Sequence, residues 1–285
     1  LKEHAVSDTE KKMPPPPTFT GPNRTGEKQF NMVGQIRRRN LTVKAVENIT
    51  PNYRRFVFSG DDLEPDFPYV HFACADHVKV FFPDPETGNI ALPTPGMRGM
   101  KAAEGEPQPM ARDYTPRAFS PERGELVIDI VVHDNGPAGL WGKNAQVGDE
   151  LVIAGPRANQ IYPENYSHYI LAGDESALPA LSRFTEELPE GATAHVIALV
   201  EDASEQLPEL EKPGVSVQWV HRTDVGGDGF VAAVKAHPLP EGDDWFVFAA
   251  GEMHEMQDIR LYLRKDLGLP KERVEVDGYW KRGED

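Results

Sequence analysis

The sequence predicts a β-barrel plus an α/β domain: an N-terminal antiparallel barrel over residues 33–163, then a parallel-sheet domain over 164–285. A tail of residues 1–32 precedes both. Three observations carry this reading. Residues 33–163 hold short runs of alternating apolar and polar residues between dense turn signals, the pattern of half-buried antiparallel strands. From residue 164 strands alternate with helix-spaced segments, which makes a mostly parallel sheet with helices on both faces. Residues 1–32 contain Pro14-Pro15-Pro16-Pro17 and no apolar period, so they cannot bury enough surface to offset their ordering entropy.

The elements follow in order. Leu41–Val46 and Arg55–Phe58 alternate as half-buried strands do, and His77–Phe82 ends at the strand stopper Pro83. Asp84–Met110 is rich in Pro and Gly and reads as a long loop. Arg112–Arg117 has strand spacing, and Leu126–His133 is the strongest strand of this half. One short helix is expected around Pro137–Asn144, and Leu151–Ala154 follows the turn Val147-Gly148-Asp149-Glu150. In the second half Tyr169–Gly173, Ala194–Val200, Val215–Val220 and Trp245–Gly251 are strands. Between and after them Ser176–Leu188, Phe230–Ala236 and Met253–Leu267 read as helices, and Val274-Glu275-Val276 leads to the end. There is no internal repeat.

Composition narrows the function. The length of 285 residues suits two domains, and 39% apolar residues suffice for their cores. The 46 Asp and Glu against 30 Lys and Arg leave a net charge of −16, which repels nucleic acid and anionic membranes. No apolar run approaches the ~20 residues of a membrane span. No h-region is visible near the N-terminus, so no secretory signal is expected. The single Cys74 excludes an internal disulfide and a cysteine-built metal site. A cytoplasmic monomer is expected.

Chemistry concentrates in three constellations. In Arg112-Asp113-Tyr114-Thr115-Pro116-Arg117, a continuous strand would put Arg112, Tyr114 and Pro116 on one face and Thr115 on the other. An arginine fork suits a phosphate, a tyrosine stacks on a planar ring, and a threonine suits ring carbonyl and nitrogen atoms, so the set fits a flavin nucleotide. The same residues also read as a surface strand with ordinary charges. His133-Asp134-Asn135-Gly136-Pro137-Ala138 follows a strand and opens a helix, whose free N–H groups suit a pyrophosphate; a plain capped turn reads the same way. Gly173-Asp174-Glu175-Ser176 and Ala249-Ala250-Gly251-Glu252 follow strands of the α/β half, where open sheets bind ligands. Neither is GxGxxG, and each glycine turn also reads as structural. HExxH, P-loop and GxSxG motifs are absent, and the nine histidines lack metal-ligand spacing, so no metal site is expected.

Taken together, these pieces resemble the siderophore-interacting proteins, flavin-dependent ferric-siderophore reductases of the ferredoxin–NADP reductase superfamily. The resemblance rests on Asp76-His77-Val78-Lys79-Val80-Phe81-Phe82-Pro83, Arg112–Arg117, Gly136-Pro137-Ala138, Leu171–Ala180, Ala249–Glu252 and Gly278–Gly283, in order over residues 33–283. It implies an FAD-binding barrel and an NAD(P)-type domain. It further implies that Arg112, Tyr114 and Thr115 hold the flavin ring and phosphate. By the same resemblance Gly136, Pro137 and Ala138 sit at the pyrophosphate beside His133, and His77, Tyr279 and Trp280 lie near the ring. Gly173, Asp174, Glu175, Ser176, Ala249, Gly251 and Glu252 would meet the nucleotide. The implied reaction carries electrons from NADH or NADPH through FAD to Fe(III) in a siderophore, with no side chain acting as acid or base. Some family members are thought to use ferredoxin.

A ferric siderophore is often anionic and the chain is acidic, so a local basic patch is expected from Lys79, Arg117, Lys281 and Arg282. Glu201-Asp202 after the strand Ala194–Val200 would repel a 2′-phosphate and favour NADH. Two other readings stay open: a generic flavin or ferredoxin reductase, and a carrier that binds ferric siderophore without reducing it.

Overall fold

The computed structural model describes residues 21–34, 36–96, 99–101, 107–134 and 136–283. The first domain begins earlier than expected. Asn23 donates its side-chain amide to the carbonyls of Ile161 and Tyr162, both at 3.2 Å. Strand β1 (Gln29–Met32) pairs antiparallel with a later strand, residues 158–161. The boundary at residue 33 is therefore too late, because four residues make a strand too short to show a period. The four-proline run lies outside the described residues.

Strands β2 (Arg38–Thr50), β3 (Tyr53–Ser59) and β4 (Val78–Phe81) come next. The Pro- and Gly-rich loop is not bare: it holds a small hairpin, β5 (Thr94–Gly96) and β6 (Gly99–Lys101). Then come β7 (Ala111–Tyr114), β8 (Pro116–Ser120), β9 (Glu125–Val131), helix α1 (Gly136–Asn144), β10 (Glu150–Ala154) and β11 (Ala158–Ile161). Seven of these form an antiparallel sheet in the order β7-β4-β10-β2-β3-β9-β8. Consecutive β7 and β8 lie at its opposite edges, joined by the single residue Thr115, so the sheet curls until its edges meet. The continuous strand expected over Arg112–Arg117 is thus two strands broken at the seam. Leu41, Phe56, Phe58, Val80, Ile128 and Ile153 fill the curled interior.

The second domain is a parallel five-stranded sheet, β14-β13-β12-β15-β16. Its strands are β12 (His168–Gly173), β13 (Thr193–Val200), β14 (Val215–His221), β15 (Trp245–Glu252) and β16 (Val274–Trp280). Helices α2 (Leu178–Glu186), α3 (Arg222–Val225), α4 (Gly229–Ala236) and α5 (Met253–Leu261) cross over between them. Every residue of β15 is buried, as a central strand covered on both faces requires. Leu171, Leu181, Phe184 and Phe248 pack one face, and Ile197, Phe230, Val247 and Ile259 the other. Among the described residues no helix is long and apolar enough to cross a membrane.

Two features fasten the domains. Phe72, from the barrel, inserts its ring among Tyr169 and Phe184 at centroid distances of 5.6 and 5.4 Å. Its φ of 56° is left-handed, a strained conformation for a bulky residue, and its N–H donates to Glu187. Beside it Arg55 bridges Asp129 (2.7 Å) and Glu209 (3.0 Å), and Arg117 bridges Glu186 (2.6 Å) and Glu209 (3.1 Å).

Candidate functional site

The barrel seam collects the first group of residues. Arg112 and Tyr114 pair with Val80 and Val78, two buried positions, so both start from the inner face of the curled sheet. Tyr114 packs edge-on against Phe82 at 6.0 Å, and burial pushes its phenol well above its ordinary pKa. The Arg112 guanidinium donates to the carbonyl of Ala111 at 3.0 Å. Among the described residues no carboxylate lies within ion-pair distance of it. In a chain with 46 acidic residues, an uncommitted guanidinium is a receptor for an outside anion.

Thr115 is buried at the seam, and Tyr279 of β16 faces it from the other domain. Burial foremost, with Asp277 adding, raises the Tyr279 phenol, while Thr115 opposes the rise. The Tyr279 hydroxyl is nevertheless buried without completing a hydrogen bond. His77 sits just before β4, exposed, and acts on Asp277 of β16. Behind them Asp76 accepts from Asn159 (2.6 Å) and from the amide of Gln160 (2.8 Å), and burial pushes its carboxyl up to about 7.

Helix α1 supplies the second group. Gly136 opens it at φ 68°, and its first turn, with Pro137 and Ala138, carries no acidic side chain. A Cβ on Gly139 would lie 2.6 Å from the His133 ring and carbonyl, so only glycine lets that ring lie on the helix start. Trp141 anchors the helix, its ring 5.1 Å from Phe56 and 5.7 Å from Phe82. An unpaired guanidinium, a helix start free of acid and an orphaned phenol fit the phosphates and the polar ring edge of a flavin dinucleotide.

The third group lies at the carboxyl edge of the parallel sheet, beside Gly173 and Ala249. Asp174, 1% exposed, accepts from the amide (2.9 Å) and hydroxyl (2.5 Å) of Ser176. Its other oxygen accepts from the amide of Glu252 (3.0 Å) and the indole of Trp280 (2.7 Å). Glu252 caps α5 through the amides of His254 and Glu255 and accepts from the amide of Arg282. Burial alone would raise Glu252, but these donors prevail and hold it at about 2. Asp174 and Glu252 thus hold the segment of Trp280 and Arg282 through their carboxylates. Glu175 pairs with Arg222 at 2.6 Å.

The expected basic patch does not assemble as drawn. Arg117 is buried between the domains, its guanidinium taken by Glu186 and Glu209, so it cannot meet a substrate. Arg282 points toward Glu255 at 3.9 Å, on the nucleotide side. Lys79 is exposed but pairs with Asp113 at 2.7 Å on the outer face. Lys281 follows β16. Sequence reasoning missed Arg222 and Glu255, although both fall just past strand ends, where the open-sheet rule points. One open cavity of about 380 Å³ is lined by His168, His195 and His237, and another of about 480 Å³ by His71, Glu187 and Glu186, the partner of Arg117.

Comparison with known proteins gives concordant matches. Residues 42–160 match the family model described as siderophore-interacting FAD-binding domain, and residues 166–283 the one described as siderophore-interacting protein. The chain is 34% identical over 250 residues to an NADPH-dependent ferric-chelate reductase of Escherichia coli (strain K12), covering 86% of this chain and 93% of that one. It is 30% identical over 256 residues to a ferric vibriobactin reductase of Vibrio cholerae, covering 89% and 93%. The crystal structure of a siderophore utilization protein from T. fusca superimposes with a TM-score of 0.81 at 39% identity, covering 91% of this chain and 98% of that one. The ferredoxin reductase of carbazole 1,9a-dioxygenase, at 14% identity, a TM-score of 0.59 and coverage of 86% and 70%, shares the fold.

Proposed function

The chain belongs to the siderophore-interacting protein family, and from that membership and the seam geometry we propose that it is an FAD-dependent ferric-siderophore reductase. It takes electrons from a nicotinamide nucleotide and converts Fe(III) in the chelate to Fe(II). The observation that carries the cofactor assignment is Arg112, left among the described residues without a carboxylate, beside a seam whose Tyr279 hydroxyl completes no hydrogen bond with them. Bound there, FAD supplies exchange between a two-electron donor and a one-electron acceptor.

The chain's own residues do the rest. Arg112 and the start of α1 hold phosphate charge. Thr115 and Tyr279, one from each domain, would meet the flavin ring, and Tyr114 would back it. Phe72 and the ion pairs of Arg55 and Arg117 keep the domains in register. Lys79 and Lys281 receive the anionic chelate; the Lys79–Asp113 pair is solvent-exposed, and such a pair is weak enough to exchange partners. Hard, oxygen-rich chelators bind Fe(II) less firmly than Fe(III), so reduction releases the metal. The protein acts as a monomer in the cytoplasm, consistent with its lone, buried Cys74.

The test is anaerobic turnover of FAD-loaded protein with NADH or NADPH and a ferric hydroxamate, with Fe(II) captured by a coloured ferrous chelator. Steady colour with either nucleotide is expected. Colour only when a reduced ferredoxin replaces the nucleotide would reassign the donor. A second reading, a flavin reductase without a chelate substrate, gains from the scattering of the basic residues. It predicts nucleotide oxidation that depends on added free flavin, with Fe(II) formed no faster than free reduced flavin alone forms it.

A further inference from the structure

At the carboxyl edge of the parallel sheet one buried carboxylate is engaged through a single oxygen among the described residues, Glu255 Oε1, which stands 3.9 Å from Arg282. Glu255, in the first turn of α5, is 7% exposed, and among the described residues its Oε2 has no hydrogen-bond partner. A buried carboxylate oxygen left unpaired is destabilising unless something else uses it. The charges acting on Glu255 come from four segments: Arg222 after β14, Asp174 after β12, Arg282 after β16, and Glu252 at the end of β15. Its carboxyl therefore faces the crevice in which open sheets take their ligands.

The arginine on that crevice is already committed. Arg222 meets Glu175 through both Nε (3.3 Å) and Nη2 (2.6 Å), a two-pronged pair with both side chains mostly buried. A ribose phosphate entering here would have to break that pair and approach Asp174, Glu175 and Glu255. A ribose diol has no such charge, and its hydroxyls are the donors that an unpartnered carboxylate oxygen lacks.

We infer that Glu255, with the Glu175–Arg222 pair, forms the donor-reading end of this crevice and selects a dinucleotide with free ribose hydroxyls, the NADH class, over one bearing a ribose phosphate. This rests on the reading that a nicotinamide nucleotide is the donor.

The test compares wild-type holoprotein with Glu255→Gln and Glu175→Gln. It measures flavin reduction by NADH and by NADPH, and the dissociation constants of NAD⁺ and NADP⁺ by calorimetry on the oxidised holoprotein. Wild type is expected to prefer NADH. Glu175→Gln, which frees Arg222, is expected to shift the NADPH-to-NADH ratio of kcat/KM by about 10-fold toward NADPH, the scale of one charge-assisted hydrogen bond. Glu255→Gln should weaken NAD⁺ and raise the KM for NADH with little change in kcat. Folded variants whose nucleotide ratios match wild type, or a wild type that prefers NADPH, would overturn the inference while leaving the reductase intact. A wild type whose flavin neither nucleotide reduces, and which binds neither, would instead sink the donor reading, and the inference with it.

Discussion

The barrel seam and the carboxyl edge of the parallel sheet treat their polar groups in opposite ways. At the seam, among the described residues, polar groups are left open: Arg112 has no carboxylate partner, the Tyr279 hydroxyl completes no hydrogen bond, and the first turn of α1 has no acid. At the edge, groups that could meet a ligand are spent internally: Asp174 accepts four hydrogen bonds, Glu252 caps α5, and Arg222 is held by Glu175. A resident cofactor can complete a set of unpaired groups permanently. A transient donor has to leave a site that is stable without it. The contrast supports the proposal that the flavin sits at the seam and the exchanging partner at the edge.

Acidity should separate the two regions most strongly. Asp76, near the seam, is raised from 3.8 to about 7, so the folded state binds more protons than the unfolded one across that interval. Its contribution then makes stability fall as pH rises from about 4 to 7, by at most about 1.4 kcal/mol per pH unit. Glu252, at the edge, is lowered from 4.5 to about 2, so its stabilisation is present above about 4.5 and fades as pH falls toward 2. Urea unfolding at a series of pH values should show Asp76→Asn flattening the loss between pH 4 and 7. An unchanged slope would mean that Asp76 ionises freely.

Phe72 joins the regions, and Phe72→Ala should cost roughly 3–5 kcal/mol, the scale of a buried aromatic truncation, because alanine keeps the Cβ and with it the left-handed strain. A loss under about 1 kcal/mol would show that the ring does not hold the domains together. Arg112→Ala should weaken FAD binding about 10- to 100-fold by fluorescence titration, with Arg112→Lys recovering only part because it lacks the planar fork. Equal FAD affinity in the alanine variant would erase the contrast with the edge. Gly251→Ala sharpens it from the other side. Its new Cβ would stand 2.7 Å from Asp174 Oδ2, at φ 153°. A loss of about 1–3 kcal/mol in thermal unfolding is expected, with Trp280 fluorescence altered and FAD affinity kept. A parallel loss of FAD would show that seam and edge are one site.

Much of this was legible in the sequence, and the omissions have physical causes. Periodicity in Leu126–His133 and Trp245–Gly251 gave strands because burial on one face or both leaves a pattern within a few residues. Arg112, Tyr114 and Gly136 stood out because their chemistry is local. Arg117 did not read correctly because its partners Glu186 and Glu209 lie 69 and 92 residues away. The break at Thr115 escaped for the same reason: a seam exists only once both edges of the sheet have met. Glu255 is one glutamate among many until the fold buries it.

The most direct test of the account is anaerobic reoxidation of the dithionite-reduced, FAD-loaded protein by a ferric hydroxamate, followed at the flavin absorbance band in a stopped-flow instrument. Return of the oxidised spectrum with matching Fe(II) formation, faster than for the same concentration of free reduced FAD, is the predicted result. A bound flavin that stays reduced in the presence of the chelate would contradict the assignment as a ferric-siderophore reductase.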